Sequence, residues 1–254
     1  MNKQRIAIIT DSGTDTDEDF RKEHDIRIMS LRIIYSDGST FSSGIDISSD
    51  EVVRRFSEEI PTTSLPSPHE MRKVLEQARD DGYTKAVVVT IASALSATNQ
   101  TARMVADEME GFPVLVVDSK SIGIAAGMVV RRAVEYVEAG VPFEQLEERL
   151  TQSVERTDVF FAVKSLEYLY KGGRINSAIY RLGSILNIKP ILTCSKEATT
   201  PEPRRCGAGG RPSTRSWRSW PRRPTVSTAC ALPFAAPRRR PRSAACSRRG
   251  CAVR

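Results

Sequence analysis

Three hydroxyl side chains lie close together in the segment Thr90-Ile-Ala-Ser-Ala-Leu-Ser-Ala-Thr98, namely Ser93, Ser96 and Thr98. A hydroxyl both donates and accepts hydrogen bonds, so a pair of them can hold a carboxylate or a phosphate without adding a charge of its own. This spacing predicts a small anion-binding site. It leaves open the plainer alternative that Ser96 or Thr98 only caps the helix that follows.

The flanking segments place these hydroxyls at a strand-to-helix turn. Lys85–Ile91 is apolar and β-branched, which predicts a buried strand, and Thr101–Glu110 has the residue spacing of a helix. Open α/β sheets bind their ligands at the carboxyl ends of the strands. The amino-terminal end of a helix there carries positive partial charge and free amides, which favour an anion.

Residues 1–156 alternate predicted strands and helices, which favours an N-terminal α/β domain with a parallel sheet and helices on both faces. Ile26–Tyr35 is predicted to be one strand region, and Pro61–Pro66 a rigid loop. Ser67-Pro68-His69-Glu70 has the pattern of a capping box and predicts a helix start. In residues 157–200 the regular alternation of predicted strands and helices ends, and we interpret this segment as part of a C-terminal α+β domain.

Charge and cysteine content divide the chain near residue 200. Residues 1–200 carry 24 Lys and Arg against 30 Asp and Glu, a net charge of −6. Residues 201–254 carry 14 Arg and a single acid, a net charge of +13. Cys194 is alone in the first part, which fits a reducing cytosol. The N-terminus lacks the apolar region of a signal peptide, so we expect a soluble cytoplasmic protein.

The segment 201–254 is rich in arginine and proline and is predicted to be disordered and non-native. It contains no Ile, Lys, Asp, Tyr or Met, and it cannot bury enough apolar surface to offset its chain entropy. GC-rich coding sequence read in the wrong frame gives this composition, so we hypothesise a frameshift near residues 199–206, which resequencing of the coding DNA tests. A nucleic-acid-binding arm is the alternative that we rank last, and we do not expect nucleic acid binding.

Motifs for nucleotide cofactors and metals are missing from the sequence. There is no G-x-x-x-x-G-K-[ST] loop and no G-x-G-x-x-G turn after a strand. Asp15, Asp17 and Asp19 alternate as in a calcium loop, but Ile26 stands where that loop needs its closing glutamate. We therefore expect no cofactor and no metal.

Polar segments recur at predicted turns throughout the first 200 residues. They are Thr10-Asp11-Ser12, Thr63-Ser64-Leu65-Pro66, Ser93-Ala-Leu-Ser96-Ala-Thr98, Val117-Asp118-Ser119 and Lys171-Gly172-Gly173-Arg174-Ile175. Each is a weak signal alone. Their order and spacing, over about residues 4–198, together resemble the DegV family of fatty-acid-binding proteins, the lipid-presenting subunits of bacterial fatty acid kinase.

The resemblance implies a long-chain fatty acid in a tunnel between two domains, with its carboxylate held by Thr63 and Ser96. It implies that Arg174, on the turn formed by Gly172 and Gly173, faces an ATP-binding kinase subunit that phosphorylates the carboxylate. The chain itself would have no catalytic residue, and it would contact a membrane transiently to exchange lipid. Supporting pocket residues would be Ser64, Ser93, Thr98, Asp11 and Ser12.

Three positions depart from the family pattern. Leu65 stands where the family usually has Gln, Ala97 where it has Gly, and Asn99 where it has Tyr or a similar residue. Ala97 would crowd the turn if that position needed a positive φ. A stand-alone enzyme acting on a small phosphorylated or carboxylated substrate at the same turn is the alternative function.

Overall fold

A computed structural model of the chain describes residues 2–163, 165–175, 177, 180, 181 and 191–194. The strands in this part are β1 (Ile6–Asp11), β2 (Arg27–Met29), β3 (Arg32–Ile34), β4 (Thr40–Ser42), β5 (Thr62–Ser64), β6 (Lys85–Thr90), β7 (Val114–Asp118), β8 (Phe161–Ala162) and β9 (Ile191–Leu192). The helices are α1 (Glu18–Glu23), α2 (Ser49–Arg55), α3 (Pro68–Asp80), α4 (Thr98–Asp107), α5 (Gly123–Glu138), α6 (Phe143–Glu155) and α7 (Glu167–Lys171).

The central element is a four-stranded parallel sheet in the order β2-β1-β6-β7. In its register Ile8 lies opposite Val87, and Val88 lies opposite Val116. The strands β1 and β6 are continuous runs of buried residues, as expected for strands covered on both faces. The parallel sheet confirms the predicted α/β fold class.

Alternate residues of the central strands contribute to two separate hydrophobic cores. Ile8 and Val87 pack with the apolar face of α5 and α6 on one side of the sheet. Ile9 and Val88 pack with α3 and α4 on the other side. Full burial of each such side chain stabilises the fold by about 1.5–3 kcal/mol, so the two cores hold the sheet rigidly between its helices.

The strand order creates a crevice between β1 and β6. From β1 the chain passes first to β2 on one side and later to β6 on the other. This reversal is a topological switch point, where the loops after two neighbouring strands separate. The loops after β1 and β6, which carry predicted site residues, therefore flank the crevice at the carboxyl edge of the sheet.

A smaller antiparallel sheet, in the order β4-β3-β5, corrects two sequence predictions. The expected single strand region at Ile26–Tyr35 is wrong, because it splits into β2 of the parallel sheet and β3 of the antiparallel one. The expected loop at Pro61–Pro66 contains β5, which pairs with β3. All three residues of β5 are exposed, so its sequence shows no alternation of apolar and polar residues. Such alternation is the signal by which a strand is predicted from sequence.

Two helices show how single residues determine where a helix begins and how closely it packs. At the start of α3 the side chain of Ser67 accepts from the Glu70 amide and Glu70 bonds back, which confirms the predicted capping box. In α5, a Cβ atom on Gly127 would lie 2.6 Å from the carbonyl oxygen of Thr14. The missing side chain therefore allows α5 to approach the short 3₁₀ turn that follows β1.

Near the end of the described residues, β8 and β9 form an antiparallel pair. The boundary predicted at residue 156 stays a prediction, and the segment 201–254, predicted to be disordered and non-native, lies outside the described residues. In the described part of the chain, no helix combines the length and the apolar character needed to cross a bilayer.

Candidate functional site

The loop Ile91–Ala97, hereafter the hydroxyl loop, connects β6 to α4 at the crevice. Within it the half-buried Ser96 hydroxyl lies 2.8 Å from the buried hydroxyl of Thr98, the first residue of α4. The Ser96 Oγ also accepts from the Thr98 amide at 3.3 Å. The sequence expectation that these hydroxyls come together at a strand-to-helix turn is therefore met, with the helix starting at Thr98 instead of Thr101.

The first turn of α4 has amides that lack acceptors. Its N-cap position is Ala97, which makes no side-chain capping bond, and the Ser96 Oγ satisfies the amide of Thr98 from one residue further back. Among the described residues, the backbone amides of Asn99 and Gln100 have no hydrogen-bond acceptor. Free amides at the positive end of a helix are the groups that bind anions.

The departures at positions 97 and 99 are compatible with this turn. Ala97 has φ −71°, so the position needs no glycine. Asn99 is buried, donates to the Thr90 hydroxyl at 2.9 Å and accepts from the Arg103 Nε at 3.0 Å. The buried amide thus ties the first turn of α4 to the end of β6.

Ser93, at the exposed side of the hydroxyl loop, connects it to β7. Its amide donates to the carboxylate of Asp118 at 3.2 Å, and that carboxylate also accepts from the Lys120 amide at 2.8 Å. Among the described residues the Ser93 hydroxyl itself makes no hydrogen bond. It is therefore free to face a ligand or solvent.

Asp11, the last residue of β1, holds the base of the crevice. Its carboxylate is 1% exposed and accepts from the Gly13 amide and the Ile91 amide, each at 2.8 Å. Burial raises the pKa of Asp11 to about 6, although the two backbone hydrogen bonds act in the opposite direction. The loops after β1 and β6 are thus joined through one buried carboxylate.

Ser12 connects the crevice to the antiparallel sheet. Its hydroxyl accepts from the amide of Leu31 at 3.0 Å, and Leu31 immediately precedes β3. The side chains of Leu31 and Ile91 both lie within 3.1 Å of the point where a Cβ on Gly13 would stand. The start of β3 therefore packs beside the start of the hydroxyl loop.

Thr63 and Ser64 lie in β5 of the antiparallel sheet and not in the crevice itself. Both residues are exposed, and Thr63 pairs with Ile33 of β3. Among the described residues, no hydrogen bond joins Thr63 or Ser64 to the hydroxyl loop, and the Thr63 hydroxyl makes none at all. Asp11, Ser12, Ser93, Ser96 and Thr98 all lie at the end of β1 or in the segments that follow β1 and β6, whereas Thr63 and Ser64 lie on a separate element.

Arg174 reaches the hydroxyl loop from the end of α7. Gly173, with φ +75°, donates to the Tyr170 carbonyl, and the Arg174 amide donates to the Leu169 carbonyl. These two bonds are the Schellman motif, which needs a left-handed residue at the position of Gly173. Gly172 stands at the C-cap. The glycines thus end the helix and direct the Arg174 side chain, whose Nε donates to the Leu95 carbonyl at 3.2 Å.

Two buried serine hydroxyls near the carboxyl edge were missed by sequence reasoning. The Oγ atoms of Ser30, which follows β2, and Ser121, which follows β7, are buried without a hydrogen-bond partner among the described residues. The Ser121 carbonyl accepts from the Ala92 amide of the hydroxyl loop at 2.7 Å. The signal available in the sequence was a serine soon after each parallel strand.

In the same described part of the chain, no three His, Cys, Asp or Glu side chains gather as a metal site would require.

A family model described as "Uncharacterised protein, DegV family" matches residues 5–208. That range covers most of the chain. This chain belongs to the DegV family. DegV domain-containing proteins of Clostridium acetobutylicum and Clostridium perfringens are 36% and 39% identical to it over 190 residues, which is 75% of this chain and 67% of each relative. The family suggested by the polar segments is thereby confirmed.

Solved DegV family structures have a similar fold. The chain resembles a DegV family protein from Thermus thermophilus described for its fatty acid binding, with a TM-score of 0.67 and 34% identity over 75% of this chain and 68% of that one. A stearic acid-binding protein from Eubacterium ventriosum gives a TM-score of 0.68 and 27% identity over 77% and 68%. DegV from Bacillus subtilis, described as a fatty acid binding protein, gives 0.67 and 26% over 75% and 68%.

Proposed function

We propose that this DegV protein binds a long-chain fatty acid by its carboxylate and presents it to an ATP-dependent kinase subunit, which forms an acyl phosphate. The observation that carries the proposal is the Ser96–Thr98 hydroxyl pair, 2.8 Å apart, beside the free amides of α4. The fatty-acid-binding proteins among its structural relatives support the same ligand class.

The chemistry of the hydroxyl loop suits a carboxylate that has to react. When the buried Thr98 hydroxyl donates to Ser96, the half-buried Ser96 hydroxyl can offer a neutral donor to the ligand, and the first turn of α4 adds free amides and a positive partial charge. These groups hold the anion without a buried cation. A bidentate arginine would hold the same carboxylate in an ion pair and lower its nucleophilicity.

In this proposal Thr63, on β5 of the antiparallel sheet, is the second carboxylate contact. Its hydroxyl makes no hydrogen bond to any described residue, and the strand that carries it is exposed. The hydroxyl is therefore available to a ligand. Asp11 and Ser12 support the pocket by holding the backbone at Ile91 and Leu31, and Ser64 and Ser93 are proposed to line it.

In the phosphorylation step, a carboxylate oxygen of the bound fatty acid attacks the γ-phosphorus of ATP held by the kinase subunit. An O–P bond forms, the bond between the γ-phosphorus and its bridging oxygen breaks, and ADP leaves. This chain contributes no catalytic residue to that step. Arg174 stands on an exposed glycine turn, where a phosphate or an acidic partner surface can reach its guanidinium.

Lipid binding is tested by extracting the purified protein and identifying co-purified fatty acid by mass spectrometry, followed by titration of delipidated protein with oleic acid. We expect Ser96→Ala to weaken binding by about 1–2 kcal/mol, because it removes one hydrogen bond to a charged group. Thr63→Val should weaken binding similarly. Thr62→Val is the matched control, since adjacent residues of a strand point to opposite faces.

Protein that contains no lipid and takes up none would contradict the proposal. Equal effects of Thr62→Val and Thr63→Val would remove Thr63 from the site. Presentation is tested separately, by adding a fatty acid kinase subunit and ATP to the lipid-loaded protein and trapping acyl phosphate with hydroxylamine. Intact lipid binding without trapped product would leave the binding role standing and refute the presentation role.

A further inference from the structure

The hydroxyl loop is held unevenly along its length. At its start, Ile91 is bonded to Asp11, and the Ala92 amide is bonded to the Ser121 carbonyl. Ser93 is bonded to Asp118. These ties come from the ends of β1 and β7 and from the loop that follows β7. The first half of the loop is therefore fixed to the parallel sheet.

The second half of the loop, residues 94–97, has far less support. The amides of Leu95 and Ser96 both donate to the Ala92 carbonyl, at 2.9 and 3.3 Å, so they close a turn within the loop. Among the described residues, one hydrogen bond reaches this half from outside the loop and α4, and it is the bond from the Arg174 Nε to the Leu95 carbonyl. Leu95 directly precedes Ser96, whose hydroxyl is the proposed ligand contact.

The geometry of Arg174 suits this task. The Schellman motif fixes its backbone, and its Nη1 donates to the Gly172 carbonyl within the same turn. The planar guanidinium is thus held at two points, by Leu95 and by Gly172. Its Nη2 has no hydrogen-bond partner among the described residues. One side chain can therefore hold the loop and still offer a donor to an anion.

We infer that Arg174 is a positioning residue for Ser96, because it holds the Leu95 carbonyl and thereby fixes the half of the hydroxyl loop that bears the ligand hydroxyl. This role lies inside the protein and is separate from any contact that Arg174 makes with a partner. One consequence rests on the proposed function, namely that fatty acid affinity depends on a residue outside the pocket.

The first experiment needs no lipid. Hydrogen–deuterium exchange of the full-length, delipidated protein is compared for wild type, Arg174→Met and Lys171→Met. We expect Arg174→Met to raise exchange in the peptide covering residues 94–98 and to leave α3 unchanged. Lys171→Met is the matched control, because Lys171 is a cation in the same turn that pairs with Glu167 instead of the loop. Unchanged exchange of residues 94–98 in Arg174→Met would overturn the inference.

The second experiment measures oleic acid affinity. We expect Arg174→Met to weaken binding by about three- to tenfold, less than the full effect of a charge-assisted hydrogen bond because the Leu95 bond acts on the ligand only through the loop, and Lys171→Met to leave it unchanged. Arg174→Lys should recover part of the loss, because an ammonium can still donate to the Leu95 carbonyl. If the wild-type protein binds oleic acid and Arg174→Met binds it with the same affinity, the inference is overturned. The proposed function would be unaffected by that result.

A double-mutant cycle separates positioning from a general loss of structure. The effect of Arg174→Met should shrink when Ser96 is already alanine, because the hydroxyl that it positions is gone. The same substitution should add independently to Thr63→Val, which lies on the antiparallel sheet. Equal additivity in both cycles would show that Arg174 does not act through Ser96 and would overturn the inference.

Discussion

The two proposed ligand hydroxyls stand on regions of opposite construction. Ser96 follows a strand with five fully buried positions, in a loop that is tied to β1, β7 and α7. Thr63 stands on a three-residue strand in which every residue is exposed. One hydroxyl is therefore placed by the rigid parallel sheet, and the other by a strand that pairs, within the described part of the chain, with β3 alone.

This difference suggests how the two regions would divide the proposed binding of a carboxylate. A donor on a rigid element is already oriented before the ligand arrives, and so costs little ordering entropy on binding. An exposed, weakly packed strand unfolds locally at a low free-energy cost compared with the rest of a protein, so a donor on it is less firmly oriented. We therefore expect the crevice to provide the preformed half of the site, and β5 the adaptable half.

The largest expected effect concerns Asp11, which holds the preformed half. Its folded pKa of about 6 lies above the usual value of 3.8, so the folded state binds the proton more tightly than the unfolded state does. The contribution of Asp11 to the free energy of unfolding is therefore most favourable below about pH 4 and falls as the pH rises through 6. The full loss is about 3 kcal/mol.

Urea unfolding of wild type and Asp11→Asn between pH 4 and 7 measures this contribution. The wild-type free energy of unfolding, relative to that of the variant, should decrease across the interval, because only the wild type has a buried carboxyl that must ionise. Asp37→Asn is the control, since the pKa of Asp37 is lowered by its hydrogen bonds to Ser39 and its profile should not show this decrease. Parallel profiles for wild type and Asp11→Asn would contradict the assignment.

Sequence reasoning succeeded where the structure depends on local signals. The strand β6 and the capping box of α3 follow from a buried apolar run and from the Ser67–Glu70 spacing. It failed at β5, whose pairing is decided by a distant strand and not by its own three exposed residues. The contact between Arg174 and Leu95 joins residues 79 apart in the chain, and no spacing rule within either segment predicts it.

An intermediate effect is expected at Ser12, which joins the two regions. Ser12→Ala removes the acceptor for the Leu31 amide, and the loss of one such hydrogen bond should cost about 1 kcal/mol in the free energy of unfolding. Because Leu31 leads into β3, exchange of the β3 and β5 amides should rise, while exchange in β6 stays at the wild-type level. Ser12→Thr keeps the oxygen and serves as the control. Equal increases in β6 and β5 would contradict the contrast between the regions.

The smallest effect is expected at Ala97, where the family usually has glycine. Ala97 is exposed and has φ −71°, a conformation open to any residue. Ala97→Gly should therefore change the free energy of unfolding by less than about 0.5 kcal/mol and oleic acid affinity by less than about twofold. The contrasting variant is Gly173→Ala, which places a side chain at φ +75° and should destabilise the turn that directs Arg174. A clear gain of affinity in Ala97→Gly would mean that the Ala97 methyl obstructs the ligand, and the hydroxyl loop would then not be the preformed half of the site.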